Sequence, residues 1–298
     1  MFFSNISFVI FILFFLFLGF IFPEHLGLLK NYIPLLLGAV MFGMGTTISI
    51  SQIKQVLSKP KVIFTAIGLQ FTVMPITAIC LLNIFDISSE LALGVIILGS
   101  CPGGTASNVI AYLCKADVAL SVICTFASTL ISVIMTPILI QLLANENIEI
   151  NVNALIKSSF FIVFFPVTLG LIVNFLFKEM KTIKFYLPKF SEFLIALIIG
   201  VILSLNLENL HNVTSSLLII IVLHNLLGLF FGYSISNIFN FSLKEKKTIS
   251  IEVGMQNSGL GMALSIIHFG KIVALPSAIF SLWHNISSVI LVYLWKKK

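Results

Sequence analysis

Arginine is absent from this 298-residue chain, and charge of either sign is scarce, with 9% of residues charged. A soluble domain carries a charged shell of about a quarter of its residues, so a soluble fold is excluded. Cysteine is limited to Cys80, Cys101, Cys114 and Cys124, all in or beside apolar segments. That excludes a disulfide framework and a thiolate metal site; the four are expected to be reduced, small, buried residues. There is no HExxH and no DxxxD, so the metal clusters and paired acids of an intramembrane protease or prenyltransferase are missing, and the chain is read as no enzyme. Period-two alternation is also lacking, so spanning segments are helices. The net charge of +6 sits on lysines in loops rather than on one soluble face, which excludes a nucleic-acid footprint.

What the chain does have is 59% hydrophobic residues in runs of about 20, the length that crosses a bilayer. The expected architecture is an all-α polytopic membrane protein with ten spans: 6–22, 32–51, 61–83, 89–113, 117–143, 153–177, 187–207, 213–239, 247–269 and 273–295. Residues 6–22 lack a basic lead-in and a small-x-small cleavage site, so they are expected to remain as the first helix. Joining the spans alternately puts Lys54, Lys59, Lys61, Lys115, Lys178, Lys181, Lys184, Lys189, Lys244, Lys246, Lys247, Lys296, Lys297 and Lys298 on one side. Only Lys30, Lys157 and Lys271 fall on the other, with Glu24, Asp86, Glu90, Glu146, Glu149 and Glu208. The positive-inside rule then places both termini in the cytoplasm of a cell (inner) membrane. Five spans precede the 144–152 loop and five follow it. An odd number per half gives the halves opposite topology, as two inverted five-helix repeats require.

Two stretches break the apolar pattern. Residues 99–112 read GSCPGGTASNVIAY and residues 252–263 read EVGMQNSGLGMA. Non-helical backbone at membrane depth must be buried in protein or line a wet cavity. Two such interruptions in corresponding positions of two halves are the best sequence pointer to a transporter's binding site. Gly104 and Gln256 are separated by close to half the chain, so spans four (broken near 102–104) and nine (broken near 256–259) are expected to form that site.

Glu252 is read as the one acid well inside the hydrocarbon, where an ionisable group costs at least ~2.5–3.5 kcal/mol and marks function by default. Gln70, in the third span, gains weight because Glu252 needs polar neighbours. Ser121 and Thr125 share one helix face and, if they meet Ser107 and Asn108, complete an all-oxygen site suited to a hard cation. His224–Asn225 and His284–Asn285 are polar pairs whose simpler reading is packing.

The GTASNVIAY that follows CPGG, the EVGMQNSGLGMAL stretch, the upstream FGMGTTIS-SQ and the WHN of the last span together resemble the bile acid:sodium symporter family in its bacterial ten-helix form. The resemblance covers residues 32–295. It implies a panel domain (about 1–52 and 153–207) and a core domain (about 60–143 and 213–295), with broken helices four and nine crossing in the core. It implies two Na⁺ sites. The first uses Ser107, Asn108, Ser121, Thr125 and Glu252. The second uses Gln70, Glu252 and the carbonyls of Val253, Met255 and Gln256. Thr105, Asn257 and His284 are implied to face an anionic substrate. The function implied is sodium-coupled symport of an organic anion, bile-acid-like or a small carboxylate such as pantoate, by a monomer in the bilayer. The alternative is a proton-coupled or uncoupled inverted-repeat carrier of the auxin-efflux or arsenite type, with Glu252 as a proton relay.

Overall fold

The computed structural model describes residues 2–48, 59–146, 148–177 and 181–296. Lys54, Lys178, Lys297, Lys298 and the SQ at 51–52 lie outside the described residues. Helix α1 spans Phe2–Ile21. Helix α2, Pro23–Gly27, runs through a 3₁₀ turn into α3, Ile33–Thr47. Then come α4 (Pro60–Ile84), α5 (Ser89–Gly99), α6 (Ser107–Leu113) and α7 (Val118–Leu143). Helix α8 (Val152–Ser159) passes through a π-turn into α9 (Phe165–Leu176). The chain ends with α10 (Lys181–Leu205), α11 (Ser215–Ile238), α12 (Leu243–Gly254), α13 (Ser258–His268) and α14 (Leu275–Lys296). Among the described residues, Pro23–Thr47, Pro60–Ile84, Val118–Leu143, Val152–Leu176, Ser215–Ile238 and Ile272–Trp295 are long and apolar enough to cross a membrane; Ile10–Ile21, Ser89–Gly99 and Ser258–His268 are shorter apolar helices. The protein is an all-helical, multi-pass membrane protein. Phe14, Phe17 and Phe20 are 52%, 61% and 64% exposed on α1, a surface that only lipid accommodates at low cost.

Local chemistry sets where helices start. Asp117, Asn151 and Thr214 accept from the backbone N–H three residues on, at 3.1, 3.0 and 3.3 Å, capping α7, α8 and α11. Ser242 and Glu245 close a reciprocal capping box at the start of α12. Packing then gathers the helices. Helix α1 lies on α10, and α3 lies on α9 and α10; α11 lies on α12 and α4, and α4 lies on α7. The α3–α9 approach is so close that a Cβ on Gly45 overlaps the Val167 carbonyl and one on Gly170 overlaps that of Phe42. Small residues at such crossings let membrane helices gain van der Waals contact where no hydrophobic drive exists between them.

One end of the bundle collects loop lysines. Lys59 reaches Glu245 at 2.8 Å and Asp117 at 3.5 Å, and the hydrogen bond it donates to Glu245 raises the Lys59 pKa above its ordinary value. Lys247 donates to the Cys114 carbonyl at 3.3 Å and lies over Trp295, and Lys61 lies over Phe239. These contacts bring the starts of α4, α7 and α12 to the same face as the ends of α6, α11 and α14. Exposed pairs like these contribute little stability; what they show is the grouping of helix ends. Cys80, expected to be buried with the other three cysteines, is exposed on α4, where a thiol facing lipid needs no partner.

The two breaks meet. The Gly104 N–H donates to the Met255 carbonyl at 2.7 Å and the Asn257 N–H to the Pro102 carbonyl at 2.8 Å, with Gly103 directly opposite Gln256. Four further carbonyls are met by side chains: Gly99 by Gln256 Nε2 (3.1 Å), Ser100 by Thr136 Oγ1 (2.6 Å), Cys101 by Gln70 Nε2 (2.9 Å) and Gly254 by Asn225 Nδ2 (2.7 Å). Three helices and the second break itself thus supply donors to two short stretches of unwound backbone, which explains polar residues in otherwise apolar spans.

Close approach at the crossing leaves no room for a side chain at position 104. A Cβ there lies 2.6 Å from the Gln256 carbonyl oxygen, whereas one on Gly68 meets nothing within 4 Å. Gly104→Ala is therefore expected to destabilise by about 1–3 kcal/mol through overpacking, read as a lower melting temperature in detergent, with Gly68→Ala close to wild type. A Gly104→Ala protein as stable as Gly68→Ala contradicts the crossing geometry.

Candidate functional site

Glu252 sits on the last turn of α12, two residues before the break, and is 3% exposed. Ser107 opens α6 and donates to its Oε1 at 2.6 Å. Ser121, on α7, also donates to Oε1, and Thr125, one turn on, donates to Oε2 at 2.7 Å. Asn108 Oδ1 lies 2.9 Å from Ser121 Oγ and 3.5 Å from Thr125 Oγ1, and Ser107 Oγ lies 3.2 Å from Thr125 Oγ1. The structure thus brings together Ser107, Asn108, Ser121, Thr125 and Glu252, from α6 just after the first break, from α7, and from α12 just before the second.

Counting protons shows what this cluster can hold. Glu252, when ionised, and Asn108 Oδ1 only accept, and each hydroxyl has one proton to give. Six oxygen–oxygen approaches therefore share the three protons of Ser107, Ser121 and Thr125. Half of the approaches set lone pairs against lone pairs. A hard cation relieves that excess, because hydroxyl oxygens keep lone pairs while donating to the carboxylate. The donor set of carboxylate, amide and hydroxyl oxygens is the type that suits such ions.

A second group lies on the far side of the crossing. Gln70 Nε2 is held by the Cys101 carbonyl, while its Oε1 is buried with no hydrogen-bond partner. Cys101 is two residues from Gly103, whose Cβ position lies 3.0 Å from Glu252 Oε2. The donor that would continue the helix onto the Val253 carbonyl, the Asn257 N–H, goes to Pro102 instead. The Met255 and Gln256 carbonyls each accept one bond, from Gly104 N–H at 2.7 Å and Ser258 N–H at 2.9 Å, leaving a lone pair apiece. Gln70 Oε1 and these carbonyls are oxygen donors of the kind that suits a hard cation.

His224, read from sequence as a packing residue, tightens this group. Gln256 Nε2 donates to Gly99, so its Oε1 accepts from His224 Nε2–H at 3.0 Å. That assigns the tautomer and turns Nδ1 to the Thr77 hydroxyl, 3.2 Å away. His224→Ala leaves the buried Gln256 oxygen unpaired, at a cost of about 1–3 kcal/mol; His224→Gln restores a donor. Thermal unfolding is expected to rank wild type above the Gln variant and the Gln variant above Ala; equal melting temperatures for Ala and wild type rule this role out.

A cavity of about 270 Å³ opens beside the crossing, and Thr105, Asn257 and His284 all line it. Asn257 caps α13 by accepting from Leu260 N–H at 3.1 Å, so the amide nitrogen is what it can offer a ligand. His284 stands edge-on to Phe280 at 5.1 Å. The opposite wall comes from α3 and α10 and includes Ser191 and Glu192. Glu192 is a second acid at the cavity, which the sequence reading did not single out although it lies within the expected span 187–207. Glu192 lies near the middle of α10, with buried residues from Leu194 onward. Its signal in the sequence was weak because five charges between Lys178 and Lys189 leave one more acid with little contrast.

Comparison with known proteins agrees with this construction. The profile of the sodium bile acid symporter family matches residues 34–213, more than half of the chain. The sodium-dependent transporter YocS of Bacillus subtilis (strain 168) is 41% identical over 299 residues, covering 99% of this chain and 92% of that protein. The probable sodium/metabolite cotransporter BASS1, chloroplastic, of Arabidopsis thaliana is 36% identical over 86% of this chain and 65% of its own, less than two thirds of its length. The ileal sodium/bile acid cotransporter of Oryctolagus cuniculus is 28% identical over 78% of this chain and 68% of its own. With the crossed breaks, the oxygen cluster and these matches taken together, the chain belongs to the sodium bile acid symporter family.

Proposed function

We propose that this chain is a sodium-coupled symporter of small organic anions, working by alternating access. The observation that carries the reading is the oxygen cluster on Glu252, with more lone pairs than protons, at the crossing of two broken helices. In this reading Ser107, Asn108, Ser121, Thr125 and Glu252 bind one Na⁺. Gln70, Glu252 and the carbonyls of Val253, Met255 and Gln256 bind a second. Two cations against one carboxylate leave a local charge near +1, and the half-helix α13 adds the positive end of its dipole. An anion beside them, met by Thr105, Asn257 and His284, is favoured electrostatically. The names of the relatives support sodium coupling. The cavity volume of about 270 Å³ is just below the ~300–1,000 Å³ usual for drug-sized ligands, which supports a small carboxylate over a bile acid.

The same reading gives ten crossings in two inverted repeats, α1–α3 with α8–α10 forming a panel and α4–α7 with α11–α14 a core. The lysine distribution puts both termini in the cytoplasm of the cell membrane, and the reading takes the chain to work as a monomer. A reporter at the C-terminus and one at Glu146 are then expected on opposite sides; both on one side ends the ten-crossing topology.

The direct test is sodium-dependent thermal stabilisation of the purified protein, since a ligand that binds only the folded state raises its apparent stability. Wild type is expected to be stabilised by NaCl but not by equal KCl. Glu252→Gln keeps the shape and removes the charge that offsets the cations, so the sodium shift should vanish and sodium-driven uptake with it. A normal sodium shift in the Gln variant refutes the charge role. Uptake that follows a proton gradient and ignores sodium supports the proton-coupled carrier instead.

A further inference from the structure

We propose that Thr248 and Asp117 are positioning residues for the oxygen cluster: they hold α7 in register with α12 so that Ser121 and Thr125 meet Glu252. The inference rests on the reading of that cluster as a sodium site. Helices α7 and α12 begin on the same face of the bundle and pack side by side. The Asp117 N–H donates to Thr248 Oγ1 at 2.9 Å. One turn further along each helix, Ser121 donates to Glu252. Both contacts join residues 131 positions apart, so equal steps along the two helices lead from the first contact to the second. Thr248 is fully buried and lies outside the cluster, one turn nearer the helix start.

The bonds around this contact fix it in place. The Thr248 proton goes to the Lys244 carbonyl, 2.9 Å away on its own helix, which leaves the hydroxyl lone pairs for Asp117. Asp117 in turn accepts at its carbonyl from the Ser121 N–H at 3.0 Å and at Oδ1 from the Leu120 N–H at 3.1 Å. It therefore links a buried hydroxyl of α12 to the first turn of α7, which carries Ser121. Lys59 spans Asp117 and Glu245 outside this contact, an ion pair open to solvent that adds little. Register matters because the tolerances differ. A slip of one residue moves a helix by about 1.5 Å along its neighbour, whereas ligands of a metal ion stand within about 0.2 Å of their proper distances. Sliding well short of one residue is enough to spoil the ligand set. Removing a group that orients metal ligands without touching the ion weakens affinity by about 10–100-fold.

The experiment uses full-length protein in detergent, with sodium titrated against choline at constant ionic strength and followed by thermal shift. Thr248→Val keeps the shape and removes the hydroxyl, so its half-saturating sodium concentration is expected to rise about tenfold. Thr248→Ser restores the hydroxyl and is expected to restore the wild-type value. Asn151→Ala removes a cap of the same kind from α8, which supplies no cluster residue; it is expected to lower the melting temperature with the sodium response unchanged. An unchanged sodium response in Thr248→Val, a loss that Thr248→Ser fails to restore, or an equal loss in Asn151→Ala overturns the proposal. A second measurement needs no sodium. In choline alone, Ser121→Ala is expected to lower the melting temperature less in the Thr248→Val background than in wild type, because contacts in one network are not additive; additive changes overturn the proposal. If Thr248→Val does not fold, Asp117→Ala loosens the contact from the α7 side, Asp117→Asn restores the cap, and the same outcomes apply. A wild type with no sodium shift refutes the sodium reading instead, and the sodium-free comparison still decides the register.

Discussion

Backbone that leaves the helix inside a bilayer has no water to turn to, and this constraint organises the molecule. The two breaks, at 100–106 and 255–257, free carbonyls and N–H groups at membrane depth. Each break satisfies part of the other, through Gly104 to Met255 and Asn257 to Pro102. Four more carbonyls are met by Gln70, Thr136, Asn225 and Gln256. An unpaired buried polar group costs several kcal/mol in hydrocarbon, so these donors are as necessary as the breaks themselves. The polar residues of the third, fifth and eighth expected spans exist to serve the fourth and ninth.

The constraint also favours a metal ion over a proton as the coupling species. A proton on Glu252 raises the supply around it from three to four, still short of the six close approaches in the cluster. A cation engages several lone pairs at once and needs no directionality from hydroxyl hydrogens. The Gln70 Oε1 without a partner sits where a proton on Glu252 offers it nothing. Binding a cation would therefore complete the hydrogen-bond economy of the crossing, which ties occupancy of the ion site to the shape of the broken backbone.

How much of this was legible in the sequence depended on contrast. Pro102, Gly103, Gly104 and the EVGMQNSG run stand out because they interrupt apolar segments, and the Ser121–Thr125 spacing points both hydroxyls one way. The structure joins them as that spacing suggests. His224 carried no such contrast: a histidine between leucine and asparagine reads as packing until Gln256 is seen 3.0 Å away. Glu192 failed for the opposite reason, because charged neighbours hid it. The Gly45–Gly170 contact was invisible because it depends on which helices touch, and a lone glycine in a helix does not name its partner. Small residues and long-range pairs are set by tertiary packing, which sequence pattern does not encode one position at a time.

The cavity and the oxygen cluster share residues, and under the proposed function that sharing is the physical basis of coupling. Asn108 faces Ser121 in the oxygen cluster and also lines the cavity; Gln256 lies in the second break and lines it too. A substrate in the cavity and a cation in the cluster therefore contact the same two short stretches of backbone. Whatever fixes those stretches lowers the cost of binding the other ligand, since ordering need be done only once. The remaining wall belongs to α3 and α10, which pack mainly on each other and on α1 and α9, and only lightly on α13 and α14. A ligand that touches both walls draws together elements that otherwise make their main contacts separately. Movement of one body against the other would then open the cavity to either side of the membrane while the crossing, cross-braced by its own hydrogen bonds, moves as a unit.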